Sequence, residues 1–332
     1  MTKLLTIAVP SYNVEQYLDR GLSSFADERL CQALEVIVVN DGSTDATAAI
    51  AQRYVDAFPD LFVLVNKENG GHGSAVNAGI AHATGRYFRV VDGDDWVETE
   101  GLVRLLDELA RTDADIVVDE MSRVDMATMR KTHEPLPAYI ETGAVIPFES
   151  ICNVEQTESY IAIHTLTVKT ALLRDHGIRI SEGIFYVDYE FIVKATCFAR
   201  TALFVPVEVY QYLVGNANQS MAAQNMANRY LHHEQVIRAL LAFADAHEFP
   251  SAIERYLKRK IQLIVHTHYN VLLIFDADRA RGAERARAFR AWLKREHPAL
   301  AQATAARYRK ALVLHCLGFD SAKLDRLMGR GA

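Results

Sequence analysis

Cysteine is scarce and scattered. The four in 332 residues, Cys31, Cys152, Cys197 and Cys316, include no CxxC pair, which speaks against a zinc site or a disulfide framework and in favour of buried thiols. Long apolar runs are absent too: no stretch approaches about 18 consecutive apolar residues, and Met1-Thr2-Lys3-Leu4-Leu5 leads into a strand without a signal-peptide layout. A cytoplasmic location is the default expectation. There is no internal repeat or low-complexity tract, and no Lys or Arg between Thr201 and Asn228. Basic charge gathers after that gap. From Ala222 onward there are 19 Lys+Arg against 10 Asp+Glu, and before it 17 against 32. The acidic part argues against a nucleic-acid groove. The basic part suits solvated helix faces, with peripheral contact to anionic lipid as the less common alternative.

What is present is the composition of a soluble globular protein, half hydrophobic and 23% charged. The length fits about two domains. Apolar β-rich runs at Leu4–Val9, Leu34–Val39, Leu61–Val65 and Tyr87–Val91 alternate with helical patterns at Glu15–Ala26, Ala46–Phe58 and Ala75–Ala83. This α/β alternation predicts a mostly parallel sheet with helices on both faces, whose ligands bind beyond the C-terminal strand ends. Each strand stops at polar chemistry: Pro10-Ser11-Tyr12-Asn13, Asn40-Asp41-Gly42-Ser43-Thr44-Asp45, Asn69-Gly70-Gly71-His72-Gly73-Ser74, and Asp92-Gly93-Asp94-Asp95-Trp96.

The last of these organises the rest. Three carboxylates in four residues repel unless something cationic joins them, and hard oxygen ligands at this spacing suit Mg²⁺ or Mn²⁺. An acidic turn capping the helix that begins near Thr99 is the structural alternative. Asp41 reads either as a turn residue, with Ser43-Thr44-Asp45 supplying a helix cap, or as an acceptor for a base or ribose. The Gly70-Gly71-His72-Gly73 loop fits neither the dinucleotide fingerprint nor the P-loop, although a helix N-terminus there favours an anion.

Together these segments resemble the family 2 glycosyltransferases, inverting enzymes of the GT-A fold. The match rests on Val9-Pro10-Ser11-Tyr12-Asn13, Val39-Asn40-Asp41-Gly42-Ser43-Thr44-Asp45, the Asn69-Gly70-Gly71 loop with Asn77 and Gly79, and Asp92-Gly93-Asp94-Asp95, four motifs in family order. The resemblance implies nucleotide contact, usually with uridine, at Pro10, Tyr12, Asp41, Asn69, Gly70, Asn77, Asp92 and Gly93. It assigns a metal, Mn²⁺ or Mg²⁺, to Asp94 with Asp92. A divalent cation stabilises a diphosphate leaving group, and inversion needs a carboxylate on another segment to accept the acceptor's proton.

Ile180-Ser181-Glu182-Gly183-Ile184-Phe185-Tyr186-Val187-Asp188 resembles the family's acidic motif, with Val187 where a glutamate is usual. That leaves Asp188 as base, its other reading being a cap on the helix through Phe198. His164, Asp95 and Trp96 fall on the acceptor side, and His72 and His164 each read as satisfied structural residues or as site residues. Tyr210-Gln211-Tyr212 looks like the Tyr-x-Tyr segment before the loop that closes over the donor. Asn216 stands there where a basic residue is common, which shifts diphosphate neutralisation to the metal, Lys67 or Arg86.

The expected layout is a GT-A domain over 1–221, with a nucleotide-binding half (1–100) and an acceptor half (101–221), then a helical region over 222–332. In the latter, helices are expected at His232–Ala246, Ile253–Phe275, Arg279–Glu296 and Ala301–Cys316, with His266 and His268 on different faces. The function so implied is metal-dependent transfer of a sugar from a nucleotide diphosphate donor, a UDP-sugar, to a hydroxyl of a glycan or lipid-linked saccharide. A non-catalytic nucleotide or glycan binder of the same fold is the alternative. A nucleotidyltransferase would carry a Gly-rich basic loop after the first strand, where this chain has Pro10-Ser11-Tyr12-Asn13.

Overall fold

The computed structural model describes residues 3–154, 160–215 and 222–327. The chain divides into two compact units, Met1–Asn216 and Ala217–Ala332. The first begins with β1 (Leu5–Ser11), α1 (Glu15–Ser23), β2 (Leu34–Asp41), α2 (Thr47–Ala57), β3 (Phe62–Lys67), α3 (His72–His82) and β4 (Tyr87–Val90). β2 lies parallel to β1 and β3, and β4 joins the other edge of β1, also parallel. Strand order therefore reverses beside β1, which makes the β1–β4 crevice the switch point where such sheets bind ligands. β2 is covered on both faces. Val36 and Val38 belong to the same core as Leu18 and Leu22 of α1 and Phe25 just beyond it, whereas Ile37 and Val39 pack with Ala75 of α3. Two-sided burial explains why Leu34–Val39 is a continuous apolar run and not an alternating one.

Beyond β4 the sheet becomes mixed. The elements are β5 (Trp96–Val97), α4 (Thr99–Arg111), β6 (Ile116–Asp125), β7 (Lys131–Glu134), β8 (Val145–Pro147), α5 (Phe148–Ile151), β9 (Leu166–Lys169) and β10 (Thr201–Val214), with short helices at Thr170–Asp175 and Val187–Cys197. Strand order is β3-β2-β1-β4-β9-β6-β10-β5, with β7 on β6 and β8 on β10. β9 runs antiparallel to β4 and β6, while β10 runs parallel to β6. The fold is GT-A-like, and its parallel part is the segment in which the sequence reading expects the nucleotide. β10 spans 14 residues, longer than its mixed pattern suggests, because Pro206 sits at a register irregularity between Phe204 and Glu208 that interrupts the alternation. α4 buries Leu102, Leu105, Leu106 and Leu109, one stripe at helical spacing.

A buried ion pair lies inside this sheet. Arg89 of β4 and Asp119 of β6 are both fully buried and ion-paired across β9. Arg89 Nη2 donates to Asp119 Oδ1 at 3.0 Å and also to the His164 carbonyl, and Nη1 donates to Thr167 Oγ1 at 3.2 Å. Removing one member of such a pair typically costs about 3–5 kcal/mol.

The second unit is helical: Ala223–Asn228, Tyr230–Ala246, Ser251–Asn270, Arg279–Glu296, Pro298–Ala303, Ala305–Cys316 and Ser321–Leu327. The helix expected over Ile253–Phe275 stops at Asn270 and continues as a π-helical turn, Val271–Phe275. His268 is fully buried, its ring stacked on His233 at 5.2 Å and set edge-on to Phe289 at 4.4 Å. Several of the basic side chains are used internally. Arg285 pairs with Asp276 at 2.9 Å, Arg290 donates to the Tyr269 hydroxyl at 3.1 Å, and Arg238 covers the Trp292 ring at 3.7 Å. No described helix is long and apolar enough to cross a membrane.

Candidate functional site

Two turns frame the crevice. After β1, Asn13 takes the left-handed conformation (φ 52°), which asparagine tolerates well, and its Oδ1 accepts from Thr44 N at 2.9 Å. Thr47 Oγ1 and Asp45 Oδ2 then accept from Val14 N and Glu15 N, and Glu15 Oε2 accepts from Ala46 N at 2.8 Å. The Ser43-Thr44-Asp45 run thus serves α1 as much as its own helix: each of the two helix starts is capped in part by the other's side chains. Pro10 is the penultimate residue of β1, buried in the sheet, and Tyr12 stands half exposed just beyond the strand.

Asp41, buried at the end of β2, anchors the neighbouring loop. Its carboxylate accepts from Gly70 N at 3.0 Å, Gly71 N at 2.7 Å and Lys67 Nζ at 2.7 Å. A carboxylate has about four acceptor sites, so these three donors leave one. Asn69 is exposed, with Gly70 behind it. Asn77 is placed differently from the nucleotide contact expected of it. Its Nδ2 donates to Ile180 O and Glu182 Oε1, both at 2.9 Å, and its Oδ1 accepts from Ile180 N at 3.0 Å. The motif asparagine therefore ties α3 to the segment that leads to Asp188. Gly73 completes that seam, because a Cβ on it would fall 2.0 Å from Ser181 O.

The Asp92–Asp95 turn is held from β10. Tyr210, fully buried, accepts from Asp92 N at 3.1 Å and donates to Asp95 Oδ2 at 2.6 Å, while Leu213 N donates to Asp95 Oδ1 at 2.7 Å. The sequence reading puts Asp95 on the acceptor side; the structure instead buries it, with both oxygens bonded, as the clamp of the turn. Burial, with repulsion from Asp94 and Asp92 added, pushes its pKa well up, toward the neutral acid. Gly93 N donates to Pro10 O at 3.2 Å, and a Cβ there would lie 2.9 Å from that oxygen, so the turn docks on the end of β1.

Asp92 and Asp94 are partly exposed. Burial, reinforced by Asp92, raises the Asp94 pKa to about 6. His72 Nε2 lies 2.9 Å from Asp92 Oδ1. Burial opposes ionisation of both groups, yet their mutual attraction wins: the Asp92 pKa is lowered and the His72 pKa raised, with Asp188 and Asp94 adding to the latter. Ligand atoms of Asp92, Asp95 and His164 lie within 4.8 Å of one another. With Asp95 already bonded, that group leaves Asp92 and His164; Asp94, the ligand expected from the sequence, stands outside it, and the hard oxygens of Asp92 and Asp94 suit Mg²⁺ or Mn²⁺.

Asp188 comes from a separate helix. The helix Val187–Cys197 starts after Tyr186, a bulky residue in the left-handed conformation (φ 69°), and such strain recurs at functional sites. Asp188 is the second helical residue, not the cap. Its charge acts on both His72 and His164, which brings it to the same site as Asp92. His164 stacks on Tyr212 at 4.5 Å and meets Tyr210 edge-on at 4.8 Å, and burial lowers its pKa against the pull of Asp92 and Asp188. Trp96 is covered by the Arg20 guanidinium at 3.9 Å; that arginine also acts on Asp94. Arg86 is removed from the diphosphate role, since it donates to Leu109 O and Thr112 O at the other end of the sheet. Asn216 lies outside the described residues.

Sequence reasoning missed Arg20, Arg89 and the clamp by Tyr210. An arginine inside an apolar strand was the signal for Arg89; Arg20 and Tyr210 carried no comparable signal, because their partners are distant in sequence.

The family model for glycosyl transferase family 2 matches residues 6–174, half of the chain. Among curated proteins, the chain is similar to the glycosyltransferase GlyA of Streptococcus pneumoniae, 36% identical over 34% of this chain and 16% of that one. It is also similar to the uncharacterized glycosyltransferase EpsJ of Bacillus subtilis, 31% identical over 55% of this chain and 54% of that one. The match thus spans about half of those relatives or less. Among solved structures, S. aureus TarS 1-349 in complex with UDP-GlcNAc superposes with a TM-score of 0.70 at 19% identity, over 95% of this chain and 92% of that one.

Proposed function

The chain belongs to glycosyltransferase family 2, and from that premise we propose that it transfers a sugar, with inversion, from a UDP-sugar to a hydroxyl of a glycan or lipid-linked saccharide. The observation that supports this reading is the convergence of His72, 2.9 Å from Asp92, and His164, grouped with Asp92 and Asp95, at the switch point of the sheet, with the charge of Asp188 reaching both histidines. TarS, a fold neighbour bound to UDP-GlcNAc, supports uridine as the base.

In this reading Pro10, Tyr12 and the spare acceptor site of Asp41 receive the uracil, and the Asn69–Gly71 loop and Gly93 border the rest of the nucleotide. Asp92 and Asp94 would hold a divalent cation, Mn²⁺ or Mg²⁺, which would supply positive charge to neutralise the departing diphosphate. Asp188 takes the proton from the acceptor hydroxyl as that oxygen bonds to the anomeric carbon. The bond from that carbon to the diphosphate oxygen breaks, and UDP leaves with the electron pair. His164 and Trp96 border the acceptor.

The test is calorimetric titration of UDP with and without Mn²⁺, followed by hydrolysis assays on a panel of UDP-sugars. Metal-dependent UDP binding with slow hydrolysis of one sugar is the expected result. Absence of UDP binding in both conditions would overturn the choice of donor, and binding without any turnover, acceptors included, would make the protein a binder.

A further inference from the structure

We propose that His72 is a positioning residue for the metal site: by bonding one oxygen of Asp92 it fixes the rotation of that carboxylate and leaves the other oxygen to the cation. This rests on the reading of Asp92 and Asp94 as metal ligands. The terminal torsion of an aspartate is broad and must be held by a partner if one oxygen is to face a ligand. Among the described residues His72 supplies that partner, at 2.9 Å from Asp92 Oδ1.

Both ends of the contact are anchored independently. His72 is the first residue of α3, and the loop before it is pinned where Gly70 N and Gly71 N donate to Asp41. The backbone of Asp92 is pinned by the Tyr210 hydroxyl. The ring and the carboxylate therefore meet because two separate anchors bring them together. The basic side chains near these strands are committed elsewhere: Lys67 to Asp41, Arg86 to Leu109 O and Thr112 O. Hydrogen-bond partners of metal-ligating groups typically change metal affinity by roughly 10–100-fold when removed.

The experiment is Mn²⁺ titration of the nucleotide-free protein, followed by electron paramagnetic resonance, for the wild type, His72→Ala, His72→Gln, Asp92→Asn and the double variant His72→Ala/Asp92→Asn. His72→Ala should weaken Mn²⁺ binding by roughly 10–100-fold, His72→Gln should recover most of it by restoring a donor, and His72→Ala should add nothing on the Asp92→Asn background. Melting curves check folding, and His72→Leu, which keeps bulk but donates nothing, replaces His72→Ala if truncation unfolds the chain. Equal Mn²⁺ affinity in the wild type and a folded His72→Ala would overturn the inference, as would a further loss in the double variant. So would weakened binding of UDP in the absence of metal, which would place His72 on the nucleotide. A wild type that binds no Mn²⁺ would instead sink the metal reading itself.

Discussion

Histidine does different things in the two units, and the contrast shows how surroundings assign a role to one residue type. In the sheet unit, His72 and His164 face carboxylates: Asp92 bonds the first, and the charges of Asp92 and Asp188 reach both. In the helical unit, His233 and His268 face each other, and His268 also meets the Phe289 ring. Burial alone drives the His233 pKa down to about 4 and, with repulsion from His233, that of His268 well below its ordinary value. The same side chain is a partner for charge in one environment and a neutral aromatic ring in the other. The buried pair Arg89–Asp119 repeats the first pattern inside the sheet.

The largest effect expected from breaking this contrast is on turnover. Asp188→Asn removes the acceptor's base and should lower kcat by roughly 10²–10⁴-fold while sparing UDP binding. Full turnover in that variant would end the assignment.

Next comes stability of the sheet. Asp119→Ala leaves Arg89 buried without its counter-charge and should cost about 3–5 kcal/mol, whereas the double variant Arg89→Met/Asp119→Leu should recover much of that loss. Denaturant melts followed by the single tryptophan left in Trp292→Phe, namely Trp96, report on this unit.

The helical unit should lose stability in acid through its buried neutral histidines, which must take up protons on unfolding. The folded pKa of His233 lies below the unfolded value of 6.5, so its contribution is fully present above pH 6.5 and is lost as the unfolded chain takes up a proton toward pH 4. The loss amounts to about 3 kcal/mol, since each tenfold difference in proton affinity between the folded and unfolded chain is worth about 1.36 kcal/mol, and His268 adds to it with the same sign. Melts of Trp96→Phe, read through Trp292, should show this slope, and His233→Phe with His268→Phe should flatten it. A slope unchanged in that double variant would mean other groups carry the acid response.

Smaller effects are expected at the two seams. Gly73→Ala drives a methyl into Ser181 O and should cost about 1–3 kcal/mol, with weaker UDP binding because the donor loop and the Asp188 segment share that contact. Asp45→Ala removes the cap that Asp45 gives to Glu15 N and should cost about 1 kcal/mol. Equal melting points for the wild type and Asp45→Ala would deny the cross-capping of α1 and α2.

Much of the site was legible because its parts are local. A buried parallel strand writes a continuous apolar run, and the polar residues that stop it lie by construction at the sheet's ligand-binding edge. That is why Asp41, Asp92, Asp94 and the Asn69–Gly71 loop can be read from their positions, with the family resemblance supplying Asp188 and the roles. Asp95 and Asn77 defeat that reading for one reason. Their place in a motif suggests ligand contact, whereas their partners, Tyr210 and Ile180, lie 115 and 103 positions away.

The sequence by itself determined the alternating elements, the family and the loops that meet at the switch point, since periodicity and turn chemistry act over a few residues. The tertiary structure decided which carboxylates stay open to ligand and which are consumed as clamps. It also decided whether a histidine meets a charge or another ring. Those outcomes depend on hydrogen bonds and burial between segments far apart in the chain, and no local pattern records which distant partner will fill a given lone pair.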